Sequence, residues 1–158
     1  MNTNDLLIIN FEEVRRRSEK VWKAIPEEKL KWRPDENAFS CVEMIRHVVE
    51  GEFLYHQILV GRGSKVLNNI FNPFEARLFT TVDDELEFAQ PYRDEFMKYI
   101  TEIRAIDLDK IEIDRSDVGY VRKLGDMLLR IAYHESVHTG QLLNYMRTMG
   151  VERPKIWD

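Results

Sequence analysis

The chain has 158 residues, 44% of them apolar and 32% charged, with a formal net charge of -5. That is enough chain for one domain with a real core, and the balance is that of a folded protein, which excludes a disordered one. Acidity excludes a basic nucleic-acid-binding surface: the only tight basic run, Arg15-Arg16-Arg17, lies among Glu12, Glu13 and Glu19 and reads as a solvated helix face.

A single cysteine, Cys41, excludes an intrachain disulfide and suits a reducing compartment. Residues 1–5 lack a basic run, Leu6-Leu7-Ile8-Ile9 is too short for a signal-peptide core, and no stretch approaches the length of a membrane span. A soluble, cytoplasmic protein is expected.

Apolar residues at helical spacing predict a first helix over about 3–24, with Leu7, Phe11, Val14, Val21 and Trp22 on one stripe. An Asn or Thr is available as its N-cap, and Pro26 stops it. Residues 27–37 read as a turn-rich connector whose Leu30, Trp32 and Pro34 fold back onto the core. Ser40, with Glu43 three residues on, is a capping box for a second helix that reaches Val60 and ends at Gly61 and Gly63. Its inward stripe holds Met44, His47, Val48, Gly51, Leu54 and Ile58. His56 is turned roughly 180° from His47, so this helix offers one inward histidine. Cys41 lies off that face and reads as a packing residue.

Residues 62–82 show no clean period and read as a long loop, of a kind that often walls a pocket, with a short helical turn near Phe74–Leu78. A third helix over about 83–104 carries Leu86, Ala89, Tyr92, Phe96, Tyr99 and Ile103; Pro91 predicts a kink or a later start. Between 107 and 122, Ile111, Ile113 and Val118-Gly119-Tyr120-Val121 suggest a small hairpin or an extended connector. The last helix runs from about 123 to 149, with Leu124, Leu128, Ile131, Leu142, Tyr145 and Met149 on its stripe and Gly150 closing it. In the tail beyond, Ile156-Trp157 is expected to dock. Four long helices predict an all-α, four-helix bundle in a single domain.

The last helix carries Tyr133-His134-Glu135-Ser136-Val137-His138-Thr139-Gly140-Gln141. At roughly 100° per residue, His134 and His138 share a face and can converge on one ion. Histidines on a core-facing stripe can equally be satisfied by carbonyls or carboxylates and bind nothing, so the pair alone leaves both readings open. With His47, the inward set is three histidines and no cysteine, which leaves a coordination position for water or substrate. Nickel, zinc, iron and manganese all fit such donors.

Neighbouring residues extend the reading. Glu135, about 100° from His134, is placed either to act as a base near the ion or to orient a histidine N–H. Gln141, on nearly the same face, is a candidate to hydrogen-bond a substrate or another helix. Gly140 in mid-helix costs roughly 1 kcal/mol against alanine, which suggests that a neighbouring backbone packs close. The H-E-x-x-H spacing also matches zinc peptidases, but downstream only Glu152 and Asp158 remain as carboxylate ligands, and no sheet is predicted to hold a peptide. Peptidase is the poorer fit.

Taken together, His47 in SCVEMIRHVVEGE, the pair in AYHESVHTGQLLNYMRTMG and the connector LKWRPDENAFS make the chain resemble the DinB/YfiT-like superfamily of small metal-binding four-helix proteins. The similarity spans nearly the whole chain. Thr139 departs from it, since arginine is frequent at that position; the ligands are untouched, but what the pocket accepts is affected. The resemblance implies that His47, His134 and His138 ligate a divalent metal, often nickel or zinc, and that the protein forms a homodimer. Members include thiol-dependent transferases and an isomerase, which makes a low-molecular-weight thiol a candidate partner; DNA chemistry is not implied. The expected function is a metal-dependent transferase or hydrolase that activates a thiol or water against a small molecule. The alternative is a non-catalytic helical protein whose metal site is stabilising or vestigial.

Overall fold

Capping sets where the helices begin. In a computed structural model describing residues 1–157, helix α1 (Thr3–Lys23) opens on Asn2, whose side chain accepts from the Asp5 amide while the Asp5 carboxylate accepts from the Asn2 amide. Ser40 and Glu43 make the same reciprocal pair at the start of α2 (Cys41–Val60). Each pair satisfies amides that no helix carbonyl can reach. Helix α3 (Val82–Glu102) starts on Thr81 and stays helical through an exposed Pro91, so the later start does not occur. Asp158, weighed above as a downstream carboxylate, lies outside the described residues.

The short helix α4 (Asp107–Lys110) leads into an antiparallel hairpin, β1 (Glu112–Arg115) and β2 (Tyr120–Lys123), with Glu112 opposite Lys123 and Arg115 opposite Tyr120. Gly119, at φ 91°, takes the left-handed turn position that a side chain would strain. The hairpin runs straight into α5 (Leu124–Met149), which Gly150 closes at φ 70°. No helix among the described residues is long and apolar enough to cross a membrane.

Helix α1 packs on α3 and α5, and α2 packs on the same two. The pairs α1/α2 and α3/α5 are therefore diagonal in a four-helix bundle, and the segments 24–40 and 103–123 must bridge those diagonals. One apolar cluster gathers Trp22, Ile45, Phe74 and Leu142, so buried Phe74 pins the long loop. A second gathers Phe11, Phe96, Ile113 and Leu128. Buried His56 faces α3, against the rings of Phe96 and Tyr99. Cys41 is fully buried, and burial pushes its thiol up to about 11.

Several local expectations need correction. Leu30 is buried and Trp32 packs edge-on to Tyr145, but Pro34 is exposed. Ile156 packs on the core and its carbonyl accepts from Arg17 Nε, whereas Trp157 stays 88% exposed. Nothing lies within 4 Å of where a Gly140 Cβ would be; on this helix the close approach is at Gly125, where a Cβ would stand 3.3 Å from the Leu108 carbonyl oxygen.

The largest correction is to the basic run. Arg15 is only 4% exposed, not solvated. Near the midpoint of each long helix sits one buried charge: Arg15 on α1, Glu52 on α2, Arg93 on α3 and Glu135 on α5. Arg15 Nε and Nη2 donate to the two oxygens of Glu135 at 2.9 and 3.1 Å, and Nη2 lies 3.3 Å from Glu52. Arg93 donates to Glu52 at 2.5 Å and to the Phe11 carbonyl at 3.1 Å. Burial disfavours the Arg15 charge, but Glu135 and Glu52 outweigh it and hold the group ionised. Burial likewise opposes the Glu135 charge, and Arg15 overrides it, keeping the carboxyl below its usual range.

A buried ion pair is worth little against an apolar pair of the same shape, but removing one partner strands a charge. Arg15→Met should therefore cost about 3–5 kcal/mol in urea unfolding. Adding Glu135→Leu should restore most of that loss, because the remaining Arg93–Glu52 pair is neutral. A double variant no more stable than the single one would show that the network is not what holds these helices.

Candidate metal centre

Burying Glu135 fixes how α5 is rotated about its axis. His134, one residue earlier, is turned about 100° from it, and His138 stands one turn further on. The imidazoles therefore emerge at the seam between α5 and α2, partly buried, and not in the bundle interior that the apolar stripe suggested. Across the seam His47 of α2 meets them. His134 Nε2 lies 3.0 Å from His47 Nε2 and 3.1 Å from His138 Nε2, and all three ligand atoms are within 4.8 Å of one another.

This triangle fits a cation. Nitrogens bound at about 2.1 Å to one ion stand about 3.0 Å apart at right angles and about 3.4 Å apart at the tetrahedral angle. A proton on His134 Nε2 can serve only one of its two neighbours, leaving the other lone pairs opposed; an ion between them serves all three. Gln141 Oε1 accepts from His138 Nδ1 at 2.7 Å, which fixes the proton on Nδ1 and turns the Nε2 lone pair toward the centre. Burial first, then the neighbouring His138 and His47, pushes His134 down to about 4. Burial and His138 also lower His47, with Glu50 opposing. Both are neutral at neutral pH, the form in which imidazole binds metal.

The triangle opens on a cleft of about 360 Å³. Helix α2 gives it Glu50, Leu54, Tyr55 and Ile58; the long loop gives Leu67, so that loop does wall a pocket, and β1 gives Arg115. The Tyr55 ring stands edge-on to His134 with centroids 5.7 Å apart. Glu50 Oε1 accepts from Asn72 Nδ2 at 2.5 Å, which anchors one carboxylate oxygen.

Of the residues singled out in the sequence, the structure brings His47, His134 and His138 together. Glu135 is elsewhere, both its oxygens held by Arg15 in the bundle interior. That also removes the peptidase reading, which needs the motif's glutamate beside the ion. Gln141 serves His138 and does not line the cleft. Thr139 faces α1, its hydroxyl 2.7 Å from Ser18 Oγ, and it does not line the cleft either. Glu50 was missed, although its spacing of three from His47 puts it on the same helix face. Arg115 carries no such signal, because its place depends on the hairpin closing against the end of α2.

The depressed histidines give a pH dependence in metal-free protein. Below about 6.5 the unfolded chain takes up protons that folded His134 refuses until about 4, so the unfolded state binds more protons and stability is lost as the pH is lowered across that window. The thermal midpoint of metal-free protein should drop between those values, and His134→Gln should flatten the drop. An unchanged slope in the variant would show that His134 is not the group responsible.

Comparison with known proteins follows the geometry. Among curated proteins there is no match. Among solved structures, the crystal structure of a DinB-like protein, YjoA of Bacillus subtilis, superposes with a TM-score of 0.69 at 20% sequence identity, over 96% of each chain. Identity that low shows a shared fold. A family model for the DinB superfamily matches residues 10–142, a span that includes His47, His134, His138 and the whole cleft. The chain belongs to the DinB superfamily.

Proposed function

We propose that the protein is a metal-dependent transferase or hydrolase acting on a small molecule. The observation that carries this reading is that three Nε2 atoms converge and that two of their histidines, His47 and His134, line a cleft. A structural zinc site closes with four protein donors, whereas this centre has three and leaves a coordination position. Zinc and nickel are the proposed ions, both well suited to imidazole. An ion held by His47, His134 and His138 supplies acidity, lowering the pKa of a bound thiol or water.

The chain's own residues do the rest. Glu50 is proposed as the base: it lines the cleft three residues from His47, and Asn72 holds one of its oxygens. It would take the proton from the thiol or water before attack on an electrophile. Glu135 is proposed instead as the residue that sets the rotation of α5. Gln141 keeps the His138 proton on Nδ1. Leu54, Ile58 and Leu67 give the cleft an apolar wall for a short substrate or a low-molecular-weight thiol.

The test is metal content by mass spectrometry on untagged protein, paired with a screen of thiols against small electrophiles. Near one metal per chain is expected, lost in His138→Ala. Glu50→Gln should keep the metal and lower turnover about 100-fold or more. Unchanged turnover in that variant would sink Glu50 as the base. No metal after incubation with zinc and nickel would end the metalloenzyme reading. Metal without turnover on any pair would favour a non-catalytic site.

A further inference from the structure

The cleft has a second polar end that the metal chemistry does not use. Arg115, the last residue of β1, lines it with a side chain 14% exposed. Its Nε is buried and bonded to nothing. The nearest carboxylate, on Asp117, is 3.9 Å away, beyond hydrogen-bond reach. Other arginines whose Nε makes no hydrogen bond are engaged elsewhere: Arg46 is ion-paired with Glu85 and donates through Nη1 to the Phe74 carbonyl, and Arg77 and Arg122 donate through Nη atoms to Asp84 and Asp126. Arg115 makes no such bond to any described residue. A guanidinium without a hydrogen-bonded acceptor is unfavourable where water is scarce, and this one stands on the wall of the cleft.

The guanidinium is also held in place. It lies over the rings of Tyr55 and Tyr120, 5.9 and 5.8 Å from their centroids. Tyr55 in turn touches His134, so one ring separates the cation from the histidine triangle. An arginine of this exposure can simply lay its stem on the surface with its head in water. The buried Nε argues against that here, since water would otherwise satisfy it.

Resting on the metal-activated reading above, we infer that Arg115 selects a substrate carrying a carboxylate. Its two Nη groups can donate to the two oxygens of a carboxylate. Glu50, beside His47, repels a second anion at the other end. The cleft therefore suits a small molecule with a carboxylate at Arg115, a short apolar span past Leu54 and Leu67, and its reacting group at the histidines.

Cobalt(II)-loaded protein tests this through the thiolate-to-cobalt absorbance band, titrated with 3-mercaptopropionate and with 1-propanethiol. The charged thiol should bind about 10-fold tighter or better. Arg115→Met should abolish that preference while cobalt content and circular dichroism stay the same, and Arg115→Lys should keep only part of it. Equal affinities in the natural protein, or a preference that survives in Arg115→Met, would overturn the inference and leave the metal reading standing. No band with either thiol on cobalt-loaded protein would overturn this inference together with the thiol form of the proposed function, leaving metal-activated water.

Discussion

Four buried charges near the helix midpoints, joined in one network, are the constraint on which the rest of this bundle depends. Each must point inward, because an unpaired charge in the interior is far more costly than a mismatched methyl group. Apolar stripes are wide and tolerate some rotation of a helix about its axis; an arginine fork on a carboxylate does not. Glu135 inward leaves His134 one step round the helix, at the seam. Glu52 inward does the same on α2, where Gly51, Tyr55 and His47 face α5. The network touches no substrate, yet it aims the residues that would.

The centre that results is asymmetric. One rim is three imidazoles whose Nε2 atoms converge, and the other is a cation over two tyrosine rings. Glu50 is the acidic group between α2 and the loop. Leu54, Ile58 and Leu67 lie between these poles, in a space sized for a metabolite and not for a polymer. Such a cleft orders a bound molecule by its charge distribution, which is how a small site gains selectivity without large area.

Much of this was legible in the sequence where the signal is local. Caps at Ser40 and Gly150, the helix stripes and the order of one histidine followed by a pair all depend on spacing within a turn or two. What was not legible depends on partners far along the chain. Arg15 and Glu135 are 120 residues apart, so the arginine run took its meaning from nearby glutamates and Glu135 took its meaning from nearby histidines. Both assignments followed the local neighbour, and both side chains face the distant one. Gly140 reads as a packing signal but stands open, while Gly125 has the close neighbour.

The diagonal placement of α1 against α2, and of α3 against α5, has a consequence for how the chain reaches this state. Of the long helices consecutive along the chain, only α2 and α3 pack side by side, so only they can close early as a local hairpin of long helices. Helix α1 can pack on α3 beforehand, but its contact with α5 waits for that helix, and until then Arg15 has Glu52 and lacks Glu135. The histidine triangle is split in the same way, with His47 in the first half of the chain and His134 and His138 near its end. A nascent chain would thus expose the face of α1 that α5 covers until that helix has formed. Metal capture would come last, as a report that the final helix has docked.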